Sequence, residues 1–361
     1  MNTLRPMLQE FNDSQRKIIE ALTRLRLQKK LDNYILVETE KLERKELVAG
    51  YPYWLTIDPA NFCNLKCPFC PTGQGRNSRT KRVLSLDSFK KIIDEIGPYL
   101  IHIDFCNWGE PLLNKDLSEM IRYSKGYSID TKIDTNLNIL TEEDAEGLIL
   151  AGLDRIIVSI DGFRQETYSR YRIGGDYNKV IENLKVLIKK KRELGKSNPH
   201  ITWQFLVFRH NEHEIEDVKR FGNHLGVDHV GITNAFIGDK DWIPLNDKYS
   251  NYKKEEINED YTSKHFKEPQ RAGCNWLWEA VAINPNGSVS PCCSVEDEKD
   301  DFGSVFQQPF KEIWNNERYR KARGYIKHRN AAEPESDNIC LKCRHSGMIN
   351  LDIFSCSTLF I

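Results

Sequence analysis

A chain of 361 residues has room for one large domain and a smaller one, and a 39% hydrophobic content supports a well-filled core. Its 52 basic and 53 acidic residues leave a net charge of -1, which argues against steering of a polyanion and against nucleic acid or anionic lipid as partners. The first eleven residues carry charges without the apolar core of a signal peptide, and no run approaches the ~18 apolar residues of a membrane span, so a cytoplasmic protein is expected.

Residues 1–50 read as a helical extension, with charge-laced stretches at 15–30 and 35–47 and no β patterning. It looks too short for a separate peptide-recognition domain. From Tyr53 onward strands and helices alternate. The pattern predicts strands at 54–58, 100–106, 128–134, 155–160, 200–208 and 229–233, with helices at 86–96, 116–125, 142–151, 177–193 and 212–225. Three of these helices close on a glycine, Gly152, Gly195 and Gly226. Repeated βα units with short connections imply an α/β fold with a parallel sheet covered by helices, and the pattern alone also allows a doubly wound sheet. Beyond about residue 240 the alternation stops, and the polar stretch 247–268 reads as a loop or lid. The run Asn284-Pro285-Asn286-Gly287-Ser288-Val289 then signals a hairpin turning on Asn-Gly. The expected division is a helical extension at 1–50, a barrel at 51–240 and a small C-terminal domain at 241–361.

Ten cysteines in a chain with no export signal point to metal, because the cytosol keeps thiols reduced. The decisive group follows the first strand: Cys63-Asn64-Leu65-Lys66-Cys67-Pro68-Phe69-Cys70, a C-x3-C-x2-C triad. A [4Fe-4S] cluster normally takes a thiolate on each iron, so three thiolates leave one iron for a ligand that is not protein. Zinc is the simpler alternative. Structural zinc wants a fourth Cys or His close by, however, and the next cysteine, Cys106, falls in a different predicted strand.

The triad and its flanks resemble the radical S-adenosylmethionine (SAM) superfamily, in which the open iron binds SAM and one electron cleaves it to methionine and a 5'-deoxyadenosyl radical. The resemblance favours a partial (β/α)6, TIM-like barrel, in which chemistry collects at the C-terminal strand ends. It also implies roles. Phe69 would pack on the adenine. Gly109, Glu110 and Pro111, in Asn107-Trp108-Gly109-Glu110-Pro111, match the family's GGEP segment around the SAM amino group, with Trp108 in place of the first glycine. Thr135 and Asn136 match the turn beside the ribose, and Leu137 stands where glycine is commoner. Ser159, in Val158-Ser159-Ile160-Asp161-Gly162, and an arginine of Tyr168-Ser169-Arg170-Tyr171-Arg172 resemble residues that bind the SAM carboxylate, with Arg172 preferred over Arg170. An arginine fork satisfies a carboxylate bidentately. A flavodoxin- or ferredoxin-type protein is the implied electron donor.

The order C-x12-G-x4-C followed by C-x2-C, from Cys274 to Cys343, resembles the SPASM or twitch extension that carries auxiliary clusters. A full SPASM module holds two clusters on seven cysteines, and its C-x2-C-x5-C-x3-C run is missing here. The resemblance therefore implies one auxiliary [4Fe-4S] cluster on Cys274, Cys292, Cys340 and Cys343. Cys293 or Cys356 could substitute for one of these, and zinc is a rival at this site. Residues 310–319 resemble the helix linking the halves of this extension, so the likeness spans about residues 53–345.

A single auxiliary cluster resembles enzymes acting on aminocyclitols and sugars, as dehydrogenases or epimerases. In an epimerase a thiol quenches the substrate radical from its opposite face. Cys106 is the first candidate for that role, sharing a strand face with His102 and Asp104; a small buried hydrophobe is the simpler role. Cys293 and Cys356 are further thiols, His102, Asp104 and Arg172 are candidate bases, and Gln204 is a candidate cavity residue. Modification of a ribosomal peptide, and a metal-stabilised binding protein without radical chemistry, are the alternative functions.

Overall fold

The computed structural model describes residues 11–250, 274–328 and 337–343. Helix α1 (Asp13–Arg24) starts at a capping box in which the Asn12 side chain accepts from Gln15 N and the Gln15 side chain accepts from Asn12 N. It buries Ile18, Ala21 and Leu22, then breaks at Arg26, whose φ is +56°. Helix α2 (Gln28–Leu42) follows and ends before Arg44, at φ +52°. The two charge-laced stretches thus become helices with earlier boundaries than the sequence pattern implied, because left-handed residues, invisible to periodicity, cut them.

The alternation then runs β1 (Trp54–Ile57), α3 (Leu86–Ile96), β2 (His102–Asp104), α4 (Leu117–Gly126), β3 (Asp130–Thr135), α5 (Glu142–Leu150), β4 (Arg155–Ser159), α6 (Gln165–Tyr171), α7 (Tyr177–Glu193), β5 (His200–Val207), α8 (Ile215–Leu225) and β6 (His229–Asn234). All six expected strands and five expected helices are present, and Gly226 closes α8 with the left-handed φ of +87° that favours glycine. Short α6 was not expected. Strands β1 to β6 pair in parallel in chain order, and β6 does not return to β1, so the barrel is partial. The core between sheet and helices includes Leu55, Ile103, Ile133, Ile156 and Trp203.

The C-terminal segment continues this sheet. After α9 (Trp276–Glu279), β7 (Ala280–Ile283) pairs in parallel with β1, placing Trp54 opposite Ala280. Strands β8 (Ser288–Ser290) and β9 (Gly303–Ser304) add antiparallel, and the expected hairpin turn has Gly287 at φ +79°. Helices α10 (Phe310–Trp314), α11 (Glu317–His328) and α12 (Ile339–Lys342) complete the described chain. Most of the predicted lid, and Cys356, lie outside the described residues. None of the described helices is long and apolar enough to cross a membrane.

Two buried polar clusters tie the segments together. Lys41 pairs with Glu38 and with Glu279, each at 2.6 Å, and the Tyr53 hydroxyl donates to Glu38 at 2.8 Å. Arg79, in the loop after the triad, pairs with both Asp301 oxygens, at 2.6 and 2.8 Å. Arg79 is almost fully buried, and removing one partner of a buried pair typically costs about 3–5 kcal/mol. Arg79→Leu should therefore lower unfolding free energy in urea by about that amount, and Arg79→Leu with Asp301→Leu by less. A loss under about 1 kcal/mol in the single variant would show that the pair does not hold the segments together.

Candidate active site

The loop between β1 and α3 brings Cys63, Cys67 and Cys70 to one side of a cavity of about 140 Å³ at the C-terminal ends of the strands. Leu65, Gly73, Cys106, Asn107, Trp108, Gly109, Glu110, Asp134, Thr135, Asn136, Ser159, Tyr171 and Arg172 complete its lining. The turn after β2 is shaped from beneath by Asp58, whose carboxylate accepts from the amides of Asn107 (2.8 Å), Trp108 (3.0 Å) and Gly109 (3.3 Å). A Cβ on Gly109 would lie 1.6 Å from the Ala60 carbonyl oxygen, so only glycine fits there. Trp108 is tolerated where the family has glycine because its backbone still serves the turn while its indole N–H donates to Val295 O at 3.1 Å.

Glu110 fastens this turn to the next strand. Its carboxylate accepts from Thr135 Oγ1 (2.6 Å), Asn136 N (2.8 Å) and Leu112 N (3.2 Å). Burial pushes its acidity weaker than usual, and these donors oppose the shift. Asn136 in turn donates to Asn64 Oδ1 (2.9 Å) and approaches Cys63 Sγ at 3.6 Å. Leu137 holds φ +57°, the conformation glycine adopts freely, which is the physical content of its departure from the family pattern. Arg172, at the C-cap of α6, donates to Asp161 Oδ2 at 2.6 Å and lies 3.8 Å from Cys67 Sγ. Arg170 stacks on Trp242 instead. Ser159 Oγ donates to Gln204 Oε1 at 3.3 Å, and Gln204 itself is not among the residues that line the cavity.

Phe69 and Pro111 sit beside the cavity rather than on its lining. The Phe69 ring meets Trp242 edge-on at 5.2 Å, within an apolar cluster that includes Leu65, Tyr171, Phe208 and Ile237. Pro111 begins a short 3-10 turn. Beneath the cavity lies a charged lumen. His102 bridges Asp130 (2.5 Å) and Asp104 (3.0 Å), Lys132 pairs with Asp104 (2.9 Å) and Asp134 (3.4 Å), Arg155 pairs with Asp130, and Trp54 Nε1 donates to Asp104 at 2.8 Å. Burial alone would make His102 less basic, but Asp104 and Asp130 outweigh it and raise its pKa.

Four C-terminal cysteines form a second group. The Cys340 thiol, weakened as an acid by burial, is weakened further by Cys292, Cys274 and Cys343 around it. Cys293 lies beside Cys292 and has Asp104 and Lys132 among its charged neighbours. Among the described residues no three Cys, His, Asp or Glu side chains converge on one point as a single metal ion requires. A cubane asks for a looser arrangement, one thiolate on each iron, and the donors at Cys63 and Cys67 are the kind that steady thiolate sulfur. The donor set therefore fits a cluster at the triad.

Residues 57–222 match the model of the radical SAM superfamily, and residues 274–344 match an iron-sulfur cluster-binding domain. The chain belongs to the radical SAM superfamily. Its cofactors are accordingly SAM and [4Fe-4S] clusters. It is 38% identical over 142 residues to a probable GTP 3',8-cyclase of Methanococcus maripaludis, a match covering 39% of this chain and 45% of that one, so it spans under half the length of that relative. It is 28% identical over 296 residues to the AdoMet-dependent heme synthase of Methanosarcina barkeri, covering 72% of this chain and 82% of the other. The SAM-bound structure of SuiB from Streptococcus suis shares the radical SAM fold, with a TM-score of 0.58 and 17% identity over 82% of this chain and 72% of SuiB.

Sequence reasoning missed Asp58, Asp134 and Asp161. Each is an acidic residue at the C-terminal end of a barrel strand, and that recurring position was the available signal.

Gly109→Ala should weaken SAM binding to the reconstituted radical SAM enzyme at least about tenfold by calorimetry, a cost of about 1.4 kcal/mol or more. Gly126→Ala, where an added Cβ meets nothing within 4 Å, should bind SAM normally. Burial raises the Asp58 pKa from its ordinary 3.8 to about 6, against the opposing pull of the three amides. Because the folded-state value lies above the unfolded one, the folded protein loses about 3 kcal/mol from this group as pH rises from about 4 to 7. The stability of wild type relative to Asp58→Asn should fall by that amount across the window, measured by denaturant midpoints. A flat difference would show that Asp58 keeps an ordinary acidity.

Proposed function

We propose that the protein is a radical SAM oxidoreductase or epimerase acting at a carbinol carbon of a small polyhydroxylated molecule, a sugar or an aminocyclitol. The observation that supports this reading is the polar lining of the cavity at the strand ends, where Asp134, Thr135, Asn136, Ser159 and Arg172 stand in place of an apolar wall. Such a lining suits hydroxyl and amino groups and disfavours a large apolar ring system. In this reading residues 51–240 form the catalytic barrel and 241–361 the auxiliary domain. Cys63, Cys67 and Cys70 hold the SAM-binding cluster; Cys274, Cys292, Cys340 and Cys343 hold a single second one. A flavodoxin- or ferredoxin-type protein in the cytoplasm supplies the electron.

Bound clusters and SAM supply the deoxyadenosyl radical and accept the electron that a product radical gives up. The chain supplies position and proton handling. Gly109, Glu110, Thr135 and Asn136 shape the amino and ribose side of the SAM site, while Ser159 and Arg172 face its carboxylate. Cys106, which lines the cavity, is the thiol available to return a hydrogen atom.

Anaerobically reconstituted protein, with eight irons per chain, dithionite, SAM and candidate sugars or aminocyclitols in deuterated water, should give 5'-deoxyadenosine and an altered substrate. A ketone product indicates dehydrogenation, and deuterium at an inverted centre indicates epimerisation. Turnover of a peptide alone, with every small polyol unchanged, would overturn the reading.

A further inference from the structure

Oxidation of a carbinol must dispose of the hydroxyl proton as well as the carbon-bound hydrogen, and the fold limits which group can take it. Two carboxylates line the cavity, Glu110 and Asp134. Both Glu110 oxygens are occupied, by Thr135 and Leu112 on one and by Asn136 on the other. Deeper in the lumen Asp104 is engaged on both oxygens, by His102 and Lys132 on Oδ1 and by Trp54 on Oδ2, and both His102 nitrogens face carboxylates. Asp58 is spent on the turn after β2, and Asp161 on Arg172 and Leu206 N. Asp134 differs. Its Oδ2 faces Lys132 at 3.4 Å, while its Oδ1 is shielded from solvent and has no hydrogen-bond partner. An unsatisfied carboxylate oxygen costs free energy unless something supplies a donor.

We propose that Asp134, whose side chain is 37% exposed and lines the cavity, is the catalytic base of a dehydrogenation, accepting the substrate hydroxyl proton on its carboxylate, an inference that rests on the polyol reading above. The carbon-bound hydrogen leaves to the deoxyadenosyl carbon, forming the C–H bond of 5'-deoxyadenosine. The hydroxyl proton goes to the Asp134 carboxylate, the remaining electron to an oxidised [4Fe-4S] cluster, and the carbon–oxygen bond becomes a carbonyl. Burial makes the Asp134 carboxylate more basic than usual, and Lys132 opposes that shift.

Lys132 orients Asp134 and does not pass the proton onward. Burial would make its ammonium more acidic, but Asp104 and Asp134 outweigh it and fix the charge, while Lys132 and His102 together hold Asp104 below the usual carboxylate range despite its burial. A proton moving from Lys132 to Asp104 would run against both shifts. The contacts from Asp134 down to Asp130 are therefore a fixed scaffold, and the proton on Asp134 returns to water through the cavity mouth.

The test uses reconstituted enzyme with a substrate deuterated at the reacting carbon, comparing wild type, Asp134→Asn and Asp134→Glu. Asp134→Asn should still bind SAM and move deuterium into 5'-deoxyadenosine, while ketone formation falls at least about a hundredfold, and Asp134→Glu should restore part of it. Without reductant, an infrared difference spectrum of substrate binding should show a carboxylate band in wild type that Asp134→Asn lacks. Unchanged ketone formation in Asp134→Asn overturns the proposal. So does loss of deuterium transfer together with the ketone, which would make Asp134 a substrate-positioning residue. A wild-type enzyme that cleaves SAM yet oxidises no polyol overturns the polyol reading itself, and is distinguished by failing before any variant is made.

Discussion

The three thiols of the triad ride on a loop that makes no regular structure beyond one bridge between Ala60 and Val83, and it must nevertheless hold them in fixed positions. Ordering such a loop costs roughly 1–2 kcal/mol of backbone entropy per residue, which only specific contacts can offset. They come from several directions. Asn61 donates to Thr80 O at 3.0 Å and accepts from Arg82 N at 2.7 Å, Lys66 N donates to Ile173 O at 2.9 Å, and Glu110 N donates to Phe62 O at 2.9 Å. Arg79 anchors the far end to Asp301. The thiol geometry is thus set by strand ends and by the C-terminal hairpin, the usual division between a reactive loop and a rigid scaffold.

That hairpin does a second job. A partial barrel leaves β1 with an open edge, an invitation to wrong pairing, and β7 covers it in parallel register. The same insertion fixes Cys274 just ahead of α9 and Cys292 just after β8. It also places two adjacent cysteines, Cys292 and Cys293, together just after β8. Cys274, Cys340 and Cys343 are near Cys292, and Asp104 and Lys132 are near Cys293.

Where a local rule sets structure, the chain was readable. Alternation of strand and helix, glycines that close helices, and the Asn-Gly turn all follow from backbone sterics or burial of one face, and each appeared at or near its expected place. The triad and the segments around Gly109, Thr135 and Arg172 were legible because their residue types are constrained by chemistry at close quarters. Asp58 and Asp134 were not, since an isolated acidic letter at a strand end looks like any solvated carboxylate until the fold turns it inward. Helix α6 hid for a related reason: a seven-residue helix has too few turns to show a period, and it fixes the direction of Arg172.

The charged lumen is the feature that stability explains least. Three carboxylates, Asp104, Asp130 and Asp134, meet Lys132, Arg155 and a His102 whose basicity is raised by its neighbours. Taking ions out of water costs several kcal/mol each, and replacing a buried ion network with well-packed apolar side chains is often neutral or stabilising. Leucine and isoleucine fill the neighbouring core of this same sheet, so the apolar solution was available to the fold. The charges of this barrel interior are kept in near balance by mutual pairing, and the one carboxylate oxygen left unsatisfied, on Asp134, sits at its upper end beside the cavity.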